Sequence, residues 1–570
     1  MRYLVVACDY DGTLAHDGRV SHTTVEALAR LKATGRRLIL VTGRELDDLR
    51  RVFDRLDLFD RVVAENGAVL YAPASGEMRP LVPPPPPEFV QLLRRKGVSP
   101  LSVGHAIVAT WVPHETSVLE AIRDLGLEYQ VVFNKGAVMA LPTGVNKGTG
   151  LSAALEDLGL SPHNCVSVGD AENDHAFLTV SECAVAVANA LPALKQTADW
   201  VTDGAGADGV GELIARLVES DLGHLGGHLQ RHELVIGSTS DGTEVRLAPY
   251  CCGIMIAGPS GSGKSTITTT ILERLAASGY QFCLIDPEGD YQEFEPAIGV
   301  RGGGVDVMID EALDVLTNPA NNVVINLLDV ETGERPLFFE RFFPRLQALR
   351  AGYGRPHWIV VDEVHHFVPA EWTRAPQTFP PKTHGLLMIT VNPAHVAPGV
   401  SSLVDVAIAL GHDADHTIAS IARAADTTLP QDIPADLSPG EAVLWRLTDG
   451  AMLTRFTLAA PESQRRRHRK KYAEGEIADY RSFYFRGADG RLNLKAHNLG
   501  LFVQMAEGVD DETWTFHLRQ HDYSRWFRKV IKDQALATEA DLVENDDTAS
   551  PHESRARIFR AIADRYTAPA

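Results

Sequence analysis

Cysteine, long apolar runs and an excess of basic residues are all scarce in this chain, and each shortage removes a class of protein. The six cysteines (Cys8, Cys165, Cys183, Cys251, Cys252 and Cys283) show no metal-ligand spacing and are too sparse over 570 residues for a disulfide framework. Most sit in apolar runs, as reduced core residues do. Nowhere do about 18 consecutive apolar residues occur, so no membrane span is expected. The N-terminus lacks a basic region followed by an apolar stretch, which excludes a signal peptide and predicts a cytoplasmic protein. A net charge of −21 excludes a surface that is basic overall, while leaving room for a local basic groove. The apolar fraction of 45% and charged fraction of 23% are those of ordinary soluble globular protein. A chain of this length predicts about three or four domains.

What is present begins near the middle. Gly258-Pro-Ser-Gly-Ser-Gly-Lys-Ser-Thr266 fits the phosphate-binding (Walker A) loop G-x-x-x-x-G-K-[ST]. The apolar run Gly253–Ala257 leads into it as a buried strand, and Thr266 to Ala277 reads as the following helix. In that setting the loop of Gly258, Pro259, Ser260, Gly261, Ser262 and Gly263 wraps the phosphates, every residue but Pro259 offering a backbone N–H. Lys264 reaches the β/γ-phosphates, and the Ser265 hydroxyl, beside Thr266, holds Mg²⁺.

Upstream, the apolar run Tyr3–Cys8 reads as a buried parallel strand ending in Asp9-Tyr-Asp-Gly-Thr-Leu14. Two carboxylates two residues apart past a strand end suit nucleophilic phosphoryl transfer. Leu38–Val41 is a second strand, ending in Thr42-Gly-Arg44. Lys147 stands in Gly144-Val-Asn-Lys-Gly148, and Val166–Val168 leads into Gly169-Asp-Ala-Glu-Asn-Asp174. These four pieces, in this order, resemble the haloacid dehalogenase (HAD) superfamily of phosphatases. The resemblance implies that Asp9 is the nucleophile forming an aspartyl-phosphate and that Asp11 is general acid and base. It implies a phosphate-binding Thr42 and a Lys147 that offsets phosphoryl charge. It also implies Mg²⁺ held by Asp9, the Asp11 carbonyl and Asp170, with Asp174 in support.

Residues between Thr42 and Lys147 exceed a plain Rossmann-like core. Pro83 to Pro87 reads as a stiff spacer. A helix (Glu88–Lys96), a strand (Ala106–Trp111), a helix (Glu115–Leu125) and two strands (Tyr129–Phe133, Ala137–Leu141) follow. An insertion here resembles the type IIB cap of Cof-like sugar phosphatases and archaeal-type phosphoglycolate phosphatases. Ala64-Glu-Asn-Gly-Ala-Val-Leu70 and Ala186-Val-Ala-Asn-Ala190 fit the same subfamily. So short a cap favours a small phosphorylated metabolite over a polymer. Arg44, Glu65 and Asn66 either line the site or serve as a surface ion pair and a turn.

Ser220 to His232 is rich in glycine and histidine and reads as a linker. Its three histidines, without acidic or cysteine partners, favour a plain linker over a metal site. Glu233 to Leu247 predicts a hairpin around Ser240-Asp-Gly242. Past the phosphate loop, Phe282–Ile285 ends in Asp286-Pro-Glu-Gly-Asp290, and Trp358–Val361 ends in Asp362-Glu363, a Walker B pattern. Asp362 then holds Mg²⁺ and Glu363 orients and deprotonates water, which favours ATP hydrolysis over small-molecule phosphorylation. Leu386–Asn392 is a further strand, with Asn392 placed as a γ-phosphate sensor. His365 and His366 read as supporting or packing residues. This order resembles the HerA/FtsK superfamily of ATPases, many of them hexameric DNA translocases. Two departures weigh against translocation: asparagine rather than glutamine at the sensor, and no assignable arginine finger, Arg423 and Arg446 being the candidates.

Glu462 to Tyr472 is a dense basic run, read as a solvated face or linker in preference to a nucleic-acid contact. Beyond it, Leu492–Met505, Thr513–Leu518 and Tyr523–Ala537 have helical apolar spacing. Trp514, Phe516, Trp526 and Phe527 read as a small helical core rather than a base-stacking platform. Ser554–Tyr566 reads as a terminal amphipathic helix.

The expectation is therefore an α/β multidomain protein. Residues 1–82 and 146–215 form a Rossmann-like HAD core, 83–145 a small α+β cap, 216–232 a linker and 233–460 a RecA-like P-loop domain. A basic linker (461–475), a small helical domain (476–545) and a tail with a terminal helix (546–570) complete it. The expected activity is a Mg²⁺-dependent phosphatase for a small phosphorylated metabolite, joined to a domain that takes ATP as substrate and works in a homo-oligomer. Nucleic-acid end processing and a nucleotide-gated sensor or scaffold are the competing readings.

Overall fold

A computed structural model describes residues 1–134, 136–225, 229, 231–249, 253–292, 294–372, 384–447, 453–462, 482–487, 490, 492–531, 533–546 and 548–566. The chain divides into two compact units, Met1–Ala459 and Ala460–Ala570.

The first unit holds three sheets. Short runs of valine, isoleucine and leucine buried on both faces give parallel strands. β1 (Val5–Asp9), β2 (Arg37–Val41) and β3 (Arg61–Ala64) are followed by an antiparallel hairpin, β4 (Val69–Ala72) and β5 (Glu77–Pro80). A separate four-stranded antiparallel sheet comes next, with β6 (Ser102–Val103), β7 (Val108–Trp111), β8 (Tyr129–Asn134) and β9 (Ala137–Pro142) in the order β6-β7-β9-β8. Its helices, Pro87–Arg95 and Glu115–Asp124, bury Phe89, Leu93, Val118 and Ala121 against the sheet. Pro87 opens the first of these helices, where a missing N–H costs nothing. The chain then returns to the first sheet with β10 (Cys165–Gly169), β11 (Cys183–Ala186) and β12 (Trp200–Val201), giving the order β12-β11-β10-β1-β2-β3-β4-β5.

The third sheet has eleven strands. The expected hairpin is β13 (Leu234–Ser238) and β14 (Glu244–Leu247), and the strand before the phosphate loop is β15 (Gly253–Ala257). β16 (Phe282–Asp286), β17 (Ile298–Val300), β18 (Val323–Asn326), β19 (Trp358–Val361), β20 (Leu386–Thr390) and β21 (Val404–Leu410) follow, with an antiparallel pair, β22 (Glu441–Arg446) and β23 (Leu453–Leu458). The order is β14-β13-β23-β22-β21-β15-β20-β19-β16-β18-β17, so β20 lies between the phosphate-loop strand and the strand ending in Asp362. Cys8, Cys165, Cys183 and Cys283 are buried free thiols, as their apolar settings predict. Cys251 and Cys252 lie outside the described residues.

The second unit departs from the expected all-helical pattern. Leu494–Ala496, expected within a helix, is a strand (β25) paired antiparallel with Phe483–Phe485 (β24). The helix starts only at Leu499, where the Asn498 side chain accepts the Leu501 N–H. The expected helix Tyr523–Ala537 is interrupted. Asp522–Trp526 passes into a π-turn over Phe527–Ile531, and Gln534–Glu544 begins a new helix capped by Asp533. A side-chain cap competing for backbone N–H groups resets the helix in both places. The terminal helix, Pro551–Tyr566, is no tail: Ile558, Ala561 and Ile562 are buried in the core that holds Trp514, Tyr523 and Phe527. Trp514 donates to Ser554 Oγ at 2.9 Å, which ties that helix to the core. The basic run lies almost wholly outside the described residues, only Glu462 of it being described.

Candidate active sites

Four strand ends of the first sheet converge on one acidic centre. Asp9 ends β1 and is 3% exposed. Lys147 opens the helix Lys147–Asp157, whose N-cap Asn146 forms a reciprocal capping box with Thr149. That cap fixes the lysine, whose Nζ lies 2.5 Å from Asp9 Oδ1 and 2.6 Å from Asp174 Oδ1. The other Asp174 oxygen accepts the backbone N–H groups of Asp170 and Ala171, each at 2.8 Å. Asp174 therefore shapes the loop that presents Asp170. Thr13 donates to Asp170 Oδ1 at 3.2 Å, and Asn189 Nδ2 lies 3.4 Å from Oδ2. Oxygens of Asp9, Asp170 and Asp174 lie within 4.8 Å of one another, all three residues buried. Burial, then the Asp174 charge, push Asp9 up to about 7 against the pull of Lys147. Burial disfavours the Lys147 charge, but Asp174 and Asp9 more than offset it and hold the ammonium above its ordinary range.

Thr42 follows β2, is buried, and accepts the Arg44 N–H on its hydroxyl oxygen at 3.1 Å. Asp11 is a third exposed, and Arg44 grips it with Nε and Nη2, each 2.7 Å from a different oxygen. Arg44 Nη1 also reaches Asp48 at 2.6 Å. A cavity of about 450 Å³ opens over Asp9, Asp11 and Arg44, roofed by Thr110, Trp111, Asn134 and Met139 of the small sheet.

Of the three residues left undecided by sequence, only Arg44 lines this cavity. Glu65 is fully buried and faces the small sheet: its Oε1 accepts the His105 N–H at 2.9 Å, and its Oε2 those of Ala106 and Ile107 at 2.8 and 3.1 Å. Asn66 accepts from Asn173 Nδ2 at 3.0 Å. Thr13, Asn189, Trp111 and Asn134 were not singled out individually by sequence. Asn189 sits in the Ala186–Ala190 stretch, which carried the signal, whereas the cap residues carried none.

The second site forms at the end of β15. A Cβ on Gly258 would lie 2.4 Å from the Leu410 carbonyl oxygen, so the loop passes where only glycine fits. Gly263, at φ +107°, turns the chain into the helix Lys264–Ala277. Lys264 Nζ donates to the carbonyls of Gly258 and Pro259 at 3.0 and 3.1 Å, folded over its own loop. Ser265 Oγ lies 3.5 Å from Asp290 Oδ2. Asp290 is held there by Asp286, whose two oxygens accept the N–H groups of Glu288, Gly289, Asp290 and Tyr291 at 2.8–3.2 Å. Sequence found this stretch but not its division of labour.

Asp362, buried just past β19, is pushed up to about 8 by burial and then by Glu363. Glu363 takes a left-handed conformation, φ +42°, and burial raises it as well. Its Oε2 is buried without a hydrogen bond, with His365 Nδ1 3.4 Å away. That ring nitrogen is also 3.2 Å from Thr390 Oγ1 at the end of β20, so His365 supports the site. Asn392 lies two residues beyond the strand end and is exposed. Its carboxamide oxygen accepts the Ala394 N–H in a turn. Arg423 Nε donates to Ala419 O in its own helix, and Arg446 Nη2 to Arg246 O.

Residues 6–80 and 115–214 match the haloacid dehalogenase-like hydrolases. A phosphoglycolate phosphatase from Methanothermobacter thermautotrophicus is 34% identical over 222 residues, 37% of this chain and 98% of that protein. The chain belongs to the haloacid dehalogenase-like hydrolases. A phosphoglycolate phosphatase from Pyrobaculum aerophilum is 32% identical over 223 residues, covering 37% of this chain and 93% of its own length. A solved haloacid dehalogenase-like hydrolase from Bacteroides thetaiotaomicron has 21% identity and a TM-score of 0.34, covering 38% of this chain and 99% of that one. Residues 253–341 match the central domain of the helicase HerA family. This hydrolase is thus a phosphatase-type enzyme joined in one chain to a HerA-like P-loop module. Among the described residues no helix is long and apolar enough to cross a membrane.

Proposed function

We propose that the first module is a Mg²⁺-dependent phosphomonoester hydrolase for a small phosphorylated metabolite, and that the P-loop module hydrolyses ATP. The observation that carries the first half is the placement of Asp9 and Asp11 in the lining of a cavity roofed by the small sheet, with Lys147 buried against Asp9. The cavity volume of about 450 Å³ suits a small molecule and not a polymer. Asp9 attacks the phosphorus while the ester bond breaks, and Asp11 protonates the departing oxygen. Asp11 then takes a proton from water, which displaces the phosphate and frees Asp9. Arg44 orients Asp11, while Thr42 and Lys147 bind the phosphoryl oxygens. Three buried carboxylates within 4.8 Å of one another, with Lys147 against two of them, fit a hard divalent cation. Asp9, Asp170 and the Asp11 carbonyl would hold it, with Asp174 in support. Bound there, Mg²⁺ supplies charge neutralisation for the phosphoryl group.

In the second module the Gly258–Thr266 loop binds the ATP phosphates, Ser265 and Asp362 fit a second Mg²⁺, and Glu363 activates water. The strand inserted between β15 and β19 supports hydrolysis, since its Thr390 lies against His365, whose ring nitrogen is 3.4 Å from Glu363 Oε2. We take a homo-oligomer as the working assembly and ATP, not nucleic acid, as the partner of this module, given the net charge of −21.

The test is phosphate release from phosphoglycolate and related phosphorylated small acids, run beside ATP turnover. Asp9→Asn should abolish the first and spare the second, and Glu363→Gln the reverse. Loss of ATP turnover in Asp9→Asn alone would overturn the assignment of the P-loop module. Salt-sensitive stimulation by DNA that vanishes in Glu363→Gln would overturn the choice of partner.

A further inference from the structure

The ends of the two large sheets where β10, β16 and β19 begin meet in a buried polar junction that no catalytic step uses. We infer that this junction holds a zinc-type transition-metal ion on His163, Glu182 and His232.

His163 precedes β10, Glu182 precedes β11, and His232 ends the histidine-rich segment that joins the two modules. One ligand atom from each lies within 4.8 Å of the others. A tetrahedral ion about 2.0–2.2 Å from each of its ligands separates those ligands by about 3.3–3.6 Å. The separations here bracket that value: His163 Nδ1 to Glu182 Oε2 is 2.8 Å, and His232 Nε2 to Glu182 Oε2 is 3.9 Å.

The hydrogen-bond pattern calls for a cation. His163 Nε2 lies 2.7 Å from the Ser278 carbonyl oxygen, which can only accept, so that nitrogen carries the hydrogen. In the neutral ring Nδ1 then turns a lone pair toward a carboxylate oxygen. A proton on Nδ1 would relieve that contact. It would not relieve the second defect, because His232 Nε2 is buried with no hydrogen-bond partner. One ion answers both.

The surroundings match as well. A carbonyl on the far nitrogen of a ligating histidine is the usual outer support. Tyr280 donates its hydroxyl to Glu182 Oε2 at 2.7 Å and stacks on the His163 ring at 3.6 Å, while Arg2 pairs with the other carboxylate oxygen, Oε1. Two imidazoles and one carboxylate select zinc or cobalt over magnesium. From sequence the histidines lacked an acidic partner; the fold supplies Glu182. Since Ser278 and Tyr280 belong to the P-loop module, the ion would fasten the joining segment where the two modules meet.

The experiment uses the full, untagged chain, stripped with chelator and re-equilibrated with Zn²⁺ or Co²⁺ in excess Mg²⁺. About one zinc per chain should remain after desalting, and Co²⁺ should give the visible bands of a tetrahedral site. Both should be lost in His232→Ala and in His163→Gln, with phosphatase turnover retained in His232→Ala as evidence that it folds. No retained zinc in the parent chain, or zinc retained equally by either variant, would overturn the inference.

Discussion

Replacing Glu65 by glutamine isolates the clasp between the two halves of the phosphatase module. The carboxylate is fully buried and receives three backbone N–H groups, from His105, Ala106 and Ile107, with His105 Nδ1 a further 3.1 Å away. It fits because residue 104 is glycine: a Cβ there would lie 2.6 Å from Glu65 Oε2. Glutamine keeps one oxygen and turns the other position into a donor. If the oxygen stays on Ala106 and Ile107, the new NH₂ faces the His105 N–H; the opposite rotamer sets it against two donors. At about 1.5–3 kcal/mol for a hydrogen bond to a charged group, plus the desolvation of a stranded donor, the change should cost about 3 kcal/mol. Because the partners all lie in residues 105–107, much of that loss should appear locally. Amide exchange at these three positions should accelerate roughly 100-fold, and phosphate release should fall through KM as the roof of the cavity loosens. ATP turnover should stay within twofold of the parent. Unchanged protection at 105–107, with urea stability within about 0.5 kcal/mol of the parent, would refute the clasp.

Two further substitutions probe positions where the backbone leaves no slack. Gly150→Ala places a methyl 2.4 Å from Val63 Cγ1 and 2.6 Å from Gly67 Cα, so urea unfolding should show a loss of about 1–3 kcal/mol. Asp286→Asn removes one of two oxygens that together hold four N–H groups. Amides 288–291 should lose protection by about tenfold, and ATP turnover should fall with them as Asp290 leaves Ser265.

Sequence revealed the residues that chemistry fixes and missed those that geometry fixes. Asp9, Lys147 and the Gly258–Thr266 loop announce themselves because strand ends and glycine spacing are local properties. Glu65 does not, since its partners lie 40 residues away and only the folded cap brings them to it. Asn392 was chosen by position along a strand pattern, yet the strand stops at Thr390 and the asparagine caps a turn. In the second unit apolar spacing could not separate helix from strand at Leu494–Ala496. The difference lies in Asn498, whose side chain sets the start of the helix.

The junction between the modules bears on how the two sites could communicate. Asn164 stands immediately before β10 and His357 immediately before β19, and Asn164 Oδ1 lies 3.3 Å from His357 Nε2. Asn164 also donates to the Gly354 carbonyl at 3.1 Å, and Arg355 to that of Gly159 at 2.9 Å. β10 leads away from this contact to Asp170 and β19 leads away to Asp362, each over about 13–17 Å of strand. The acidic ends are therefore not the ends that touch, and a product released at one has no direct passage to the other through the junction. Through this junction, an influence of nucleotide on the phosphatase travels as a displacement of β19 and β16 against Asn164 and Glu182. Burial holds His357 well below its ordinary range, so that ring is a neutral, fixed spacer in the contact. The charged groups of the contact, Arg355 and Glu182, are buried, where added salt screens them little. Coupling between the two sites, where it exists, should accordingly be insensitive to salt.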